Sequence, residues 1–93
     1  MARIGLLAMG ITITVKLFAS LGPLLPAGSE RNVATLVVPD GATPLQVVQQ
    51  LRVPPRLCFL CMINGLHVPH KEWGTRSLKH GDTLAMWPPV AGG

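Results

Sequence analysis

The stretch Ala42–Val53, ATPLQVVQQLRV, decides how the rest of the chain is arranged. Thr43 is a good N-cap, because its hydroxyl can accept from an N–H that the first helical turn leaves unpaired. Pro44 suits the first helical position, where no N–H is needed. Gln46 falls at the third and completes a capping box with Thr43. At ~100° per residue, Leu45, Val47, Val48 and Leu51 fall within an arc of about 160°, with Gln46, Gln49 and Gln50 opposite. The pattern predicts a short amphipathic helix with one buried face, ended by Pro54-Pro55. That face needs a layer to lie on, and the sequence on either side supplies strands.

Upstream, NVATLVV (Asn32–Val38) is β-branched and reads as a strand that stops at the turn signal Pro39-Asp40-Gly41. Before it, ITITVKLF (Ile11–Phe18) alternates strictly, with Ile11, Ile13, Val15 and Leu17 on one face and Thr12, Thr14 and Lys16 on the other. Period two is the mark of a half-buried strand. The intervening ASLGPLLPAGSER, with its prolines and glycines, reads as a loop. Downstream, LCFLCMI (Leu57–Ile63) is a continuous apolar run that predicts a central strand buried on both faces. Asn64-Gly65 is a hairpin signal, since both turn positions need positive φ. LHVP supplies a short partner strand, HKEWGTRSLKHG a connector with one helical turn, and Asp82–Trp87 the last strand. Pro88-Pro89 ends any ladder, because neither residue can donate.

The order β-β-α-β-β-β predicts an α+β fold: a mixed sheet of four to five strands with one helix on one face. The final strand is expected to return beside the first. The expected organisation is an N-terminal extension at 1–10, one domain at 11–87 and an extended C-terminal tail at 88–93.

The 93 residues suffice for one modest core and leave little room for an enclosed active site. Apolar residues make up 48% and charged residues 13%, so charges cannot cover the surface and an exposed apolar patch is expected. The net charge of +4 sets eight basic residues against four acidic ones, and the basic ones are scattered: Arg3, Lys16, Arg31, Arg52, Arg56, Lys71, Arg76 and Lys79. They form no run or stripe and no aromatic residue interleaves with them, which argues against nucleic-acid binding. Arg3 followed by IGLLAM faintly resembles a signal peptide, but the apolar core is short and no small-residue cleavage site follows. A start-site extension or a loose arm is the expectation. No stretch reaches the length of a membrane helix, and a cytoplasmic location is expected.

Among candidate chemical groups, Cys58-Phe59-Leu60-Cys61 is a single CxxC. A redox CxxC normally opens a helix, whereas this one sits in a strand pattern. Residues three apart in a strand point to opposite faces and lie ~10 Å apart, too far for a disulfide. Both cysteines are therefore expected as buried, reduced packing residues. His67 and His70, with His80 nearby, extend the set toward zinc, but only five residues separate Cys61 from His67, fewer than a zinc-finger spacing. No metal is expected. There is no GxxxxGK[ST] phosphate loop and no local sign of a Ser–His–Asp trio. Glu30, Asp40, Glu72 and Asp82 fall in loops or turns, and Trp73 reads as packing or interface. Trp87, with Met86 beside it, is the expected anchor of the apolar patch. No catalytic constellation emerges.

The chain ends Pro88-Pro89-Val90-Ala91-Gly92-Gly93. Prolines bias the segment toward extended polyproline geometry. Glycines carry no Cβ, so a partner can enclose the backbone closely. The terminal carboxylate of Gly93 is then the group delivered. A frayed end or cloning scar is the plain alternative.

With these residues in view, the chain resembles the small sulfur-carrier proteins of the MoaD and ThiS type, which have the β-grasp, ubiquitin-like fold. The resemblance spans about residues 11–93. VKLFASLGPLLPAG and GDTLAMWPPVAGG are similar to the molybdopterin synthase small subunit. INGLHVPHKEW and LKHGD are similar to either branch, VPHKEW leaning toward the carrier of thiamine thiazole synthesis. The resemblance implies that a ubiquitin-activating-like enzyme takes Gly92 and Gly93 into a channel and adenylates Gly93 with ATP. A sulfur donor then makes a thiocarboxylate, and the loaded tail enters the large subunit of molybdopterin synthase, or thiazole synthase. It implies no bound cofactor, ATP belonging to the partner, and a carrier rather than an enzyme. A ubiquitin-like modifier conjugated through Gly93 is the further alternative. The arm before Ile11, the two cysteines and the basic charge depart from the pattern.

Overall fold

A computed structural model of the protein describes residues 10–26 and 31–89. Strand β1 spans Gly10–Leu17 and β2 spans Val33–Pro39. Helix α1 spans Pro44–Gln50, and β3 (Leu60–Ile63), β4 (Leu66–His67) and β5 (Thr83–Trp87) follow. The five strands form one sheet in the order β2-β1-β5-β3-β4. The first and last strands lie side by side and parallel, with Val15 opposite Leu84 and Leu17 opposite Met86. The β1–β2, β3–β5 and β3–β4 pairs are antiparallel.

The alternation of β1 decides its orientation. Ile13, Val15 and Leu17 are at most 1% exposed, while Thr12, Thr14 and Lys16 on the other face are half-buried. β1 begins one residue before the alternation does, at Gly10. Helix α1 covers the inner face, with Val47 and Val48 buried and Gln46, Gln49 and Gln50 exposed. Its capping box is present: the Thr43 hydroxyl accepts from the Gln46 N–H, and the Gln46 side chain accepts from the Thr43 N–H. The helix proper stops at Gln50, a residue short of Leu51, which still packs against the core as helix C-cap. Trp73 closes the core from the connector, where its indole N–H donates to the Val68 carbonyl at 3.0 Å. Each large apolar side chain taken out of water in this way contributes about 1.5–3 kcal/mol.

Three local expectations are revised. The loop after β1 contains a 3-10 segment, Ala19–Leu24, whose Leu21 enters the core. The third strand is second from the edge, not central, and it begins only at Leu60. It is buried on one face: Cys61 and Ile63 point inward, and Leu60 and Met62 are half-buried on the other side. The Asn64-Gly65 turn is as expected, with φ of 52° and 82°. A single helical turn, His70–Glu72, lies in the connector.

Candidate functional site

The end of β5 is where the chain leaves the sheet. The Phe18 N–H donates to the Met86 carbonyl at 3.1 Å and the Phe59 N–H to the Trp87 carbonyl at 2.8 Å. These bonds hold the last two residues of β5 from both sides. Pro88 and Pro89 follow and have no N–H to continue the ladder. Val90, Ala91, Gly92 and Gly93 lie outside the described residues.

At this end the strand register sorts side chains by face. Leu84 and Met86 point inward at 0% and 1% exposure. Met86 is therefore a core residue and not the interface residue expected from sequence; the period of two that exposes Trp87 buries its neighbour. Trp87 is half-buried on the outer face and stacks on Phe18, the ring centroids 4.6 Å apart and the planes 10° from parallel. Such a pair adds about 0.5–1.5 kcal/mol beyond its buried area and fixes both rings at the root of the tail. Leu60 lies opposite Trp87 and Met62 opposite Ala85, so both join this outer face.

A local irregularity enlarges the patch. Leu60 is the ladder partner of Trp87, yet the Phe59 N–H also donates to the Trp87 carbonyl. Two residues stand against one, the pattern of a β-bulge. The extra residue shifts the alternation by one. Phe59, 67% exposed, therefore lies on the outer side with Leu60, and Cys58 turns inward to join Cys61. The two cysteines share the inner side of the sheet instead of opposing each other across the strand, which corrects the sequence-based expectation. Both thiols are free. Burial pushes the Cys58 thiol up. Burial, and then the neighbouring Cys58, push Cys61 up to about 12, against a smaller opposing pull from Arg76. Thiols held protonated at neutral pH are poor nucleophiles and poor metal ligands. His67 stands on the other side, opposite Met62, and the His80 Nδ1 accepts from the Thr12 N–H at 3.1 Å. Among the described residues no three His, Cys, Asp or Glu side chains converge as a metal site.

The other end of β5 is pinned by side chains. Asn64 donates to one Asp82 carboxylate oxygen at 2.9 Å and accepts from the Thr83 N–H at 2.9 Å. The second Asp82 oxygen accepts from the Lys79 N–H at 2.8 Å. The hairpin and the start of β5 thus form one unit, and the strand that carries the tail is fixed at its far end. The recess between α1 and the sheet, lined in part by Val47, Val48 and Cys58, is too tight to admit a water molecule. The groups assembled here are apolar side chains around a departing tail. They suit recognition by another protein, and the local chemistry of the described residues offers no nucleophile with a base beside it.

Sequence patterning marks Trp87 and the patch but not Phe18, Phe59, Leu60 and Met62. Phe18 is legible in principle: it occupies the next outward position of the β1 alternation. Phe59 is not, because a bulge leaves no periodic signal.

The ThiS family model matches residues 15–93. No curated protein matches the chain in sequence. Solved structures do. The chain is similar to the HVO 2177 protein of Haloferax volcanii at 24% identity, covering 91% of this chain and 89% of that one, with a TM-score of 0.73. It is similar to the small archaeal modifier protein 1 (SAMP1) of Methanosarcina acetivorans at 25% identity, covering 90% and 98%, with a TM-score of 0.63. It is also similar to a chain in the complex of subunits 1 and 2 of the molybdopterin-converting factor of Helicobacter pylori. That match has 18% identity, coverage of 89% and 100%, and a TM-score of 0.56. The fold is the β-grasp, ubiquitin-like arrangement.

Proposed function

Since the chain belongs to the ThiS family, we propose that it is a sulfur carrier whose cargo is loaded on the carboxylate of Gly93. The family and the fold make it a small carrier or ubiquitin-like modifier protein. The finer reading is that an ATP-dependent enzyme adenylates Gly93 and that the product serves molybdopterin synthesis. One observation supports the tail as the segment that is loaded: the β5 ladder ends at Trp87 beside an outer apolar face, and two residues without N–H follow. This end of the fold gives the tail a fixed root and gives a partner something to grip.

The chemistry follows from a weak electrophile that must be made reactive. A Gly93 carboxylate oxygen attacks the α-phosphorus of ATP, and pyrophosphate leaves. In the resulting acyl-adenylate, AMP is a good leaving group. A sulfide-level donor adds to the carbonyl carbon, the C–O bond to AMP breaks, and a thiocarboxylate remains. After its sulfur passes to an acceptor, water restores the carboxylate. The protein contributes position; ATP and proton-transfer groups belong to the partners. Gly92 and Gly93, without Cβ atoms, suit a channel that encloses the backbone. A large-subunit partner of the kind present in the Helicobacter pylori complex would receive the loaded tail.

The likeness to the small archaeal modifier protein 1 favours a second reading, conjugation of Gly93 to lysines of other proteins. Thiamine thiazole synthesis is the alternative destination for the sulfur. The intact mass decides among them. The native chain is incubated with the adenylating enzyme of its own organism, ATP and a sulfide source. Exchange of one oxygen for sulfur at Gly93 is expected. An isopeptide on other proteins supports the modifier reading, and a carboxylate that stays free throughout overturns both. Gly93→Val should abolish adenylation by blocking the channel, and normal adenylation of that variant would show that no narrow channel exists. The synthase that accepts sulfur from the loaded chain separates the two cofactor branches.

A further inference from the structure

Lys16 is a cation placed within the outer face. The register sets it between Val33 of β2 and Ala85 of β5, and Phe18 follows two residues along the same side of β1. Beyond Ala85 in the same row come Met62 and then His67. Lys16 is half-buried, the exposure expected of a lysine whose apolar stem covers its neighbours and whose ammonium stays in water. The described acidic side chains are elsewhere. Glu72 pairs with Arg76 at 2.8 Å. Asp82 is held by Asn64 and the Lys79 N–H. Asp40 sits in the turn after β2. Among the described residues Lys16 has no ion pair.

A protein that covers this face takes the ammonium out of water, which is unfavourable unless a counter-charge replaces the solvent. Among the described residues, a second copy of this chain supplies none at this face. An isologous contact presents the same face twice, and this face carries Lys16 without any described acidic residue. We propose that Lys16 is a specificity residue for the adenylating enzyme, whose docking surface is apolar with a carboxylate placed to accept from the Lys16 Nζ. The proposal rests on the sulfur-carrier reading above. Its charge pair selects among apolar partners more than it adds raw affinity. The Phe18–Trp87 stack and Leu60 supply the apolar contact beside it.

The test is ATP–pyrophosphate exchange catalysed by the adenylating enzyme of the same organism, measured against wild type, Lys16→Met, Lys16→Arg and Lys16→Glu at low and high salt. Lys16→Met keeps the stem and removes the charge. It should lower kcat/KM about tenfold, through KM and not kcat, and should lose most of the salt dependence. Lys16→Arg should restore most of the efficiency, and Lys16→Glu should fall on the order of a hundredfold or more. A merely structural role would lower the urea midpoint, which should stay near wild type in all three variants. A Lys16→Met chain as efficient as wild type, or more so, overturns the proposal while leaving the carrier reading intact. A wild-type chain that is never adenylated overturns both. Sedimentation of wild type as a dimer that Lys16→Glu dissociates would also overturn it, because the face would then belong to a second copy.

Discussion

Along β5, Leu84 and Met86 face the helix and are almost fully buried, whereas Ala85 and Trp87 face outward and remain half-buried. The two pairs share one short stretch of backbone and one set of ladder hydrogen bonds, so their difference is one of surroundings. The inner pair packs against Val15, Leu17 and the helix. The outer pair borders Lys16, Met62, Leu60 and the stacked Phe18. A five-residue strand can thus anchor a core and present a landing surface at once, provided that its register holds. Inner substitutions should then be read out as stability, and outer ones as recognition.

The largest stability effect belongs to the inner face. Leu84 is 0% exposed, between Val15 on one neighbouring strand and Ile63 on the other. Leu84→Ala removes buried methyl groups and leaves a cavity, which costs about 2–5 kcal/mol. Urea unfolding should show that loss as a lower midpoint with little change in slope. A loss below about 0.5 kcal/mol, the range of ordinary surface substitutions, would erase the distinction between the two faces.

A second effect on the inner face follows pH. The Cys61 thiol is pushed from its ordinary 9.0 up to about 12 by burial first, then by Cys58. Below 9.0 the thiol is protonated in both folded and unfolded chains, and its contribution to stability is fully present. As pH rises from there toward about 12, the unfolded chain gives up its proton while the folded chain keeps it. Stability therefore falls as pH rises through that window, by up to about 1.4 kcal/mol per pH unit. Unfolding measured across the window for wild type and Cys61→Ala isolates the effect, since the two chains differ only at that side chain. Equal slopes would mean that the thiol is not shielded on the inner side.

These inner features are largely readable in the amino-acid sequence. The alternation from Ile11 to Leu17 puts the right four residues in the core, because half-burial imposes a period of two. The Thr43–Gln46 box and the Asn64-Gly65 turn are equally plain, because local hydrogen bonding and positive φ restrict which residues work there. The candidate site is less legible. LCFLCMI has no polar residue to break its run, so nothing in it marks where the strand starts or where the bulge falls. That bulge depends on the partner strand β5, distant in sequence, which is why spacing alone puts Cys58 on the wrong face. Met86 misleads for a simpler reason: adjacency groups it with Trp87, and adjacent strand residues face opposite ways.

The smallest expected change in stability gives the sharpest division between the faces. Phe59 is 67% exposed, and its outward position depends on the extra residue at the bulge. Phe59→Ser removes an aromatic ring that the folded chain scarcely buries, so unfolding free energy should move by no more than about 0.5 kcal/mol. The same ring lies beside Leu60 at the root of the tail, where a docking partner would bury it. If Phe59 belongs to the recognition surface, adenylation efficiency should fall by about tenfold, since buried aromatic anchors dominate interface energy. The two measurements must move independently: a stability loss of the size expected for Leu84→Ala would place Phe59 in the core and remove the bulge, and with it the shared inner placement of the cysteines. Unchanged stability with unchanged adenylation would keep the bulge but confine the docking surface to the Phe18–Trp87 side, next to Lys16.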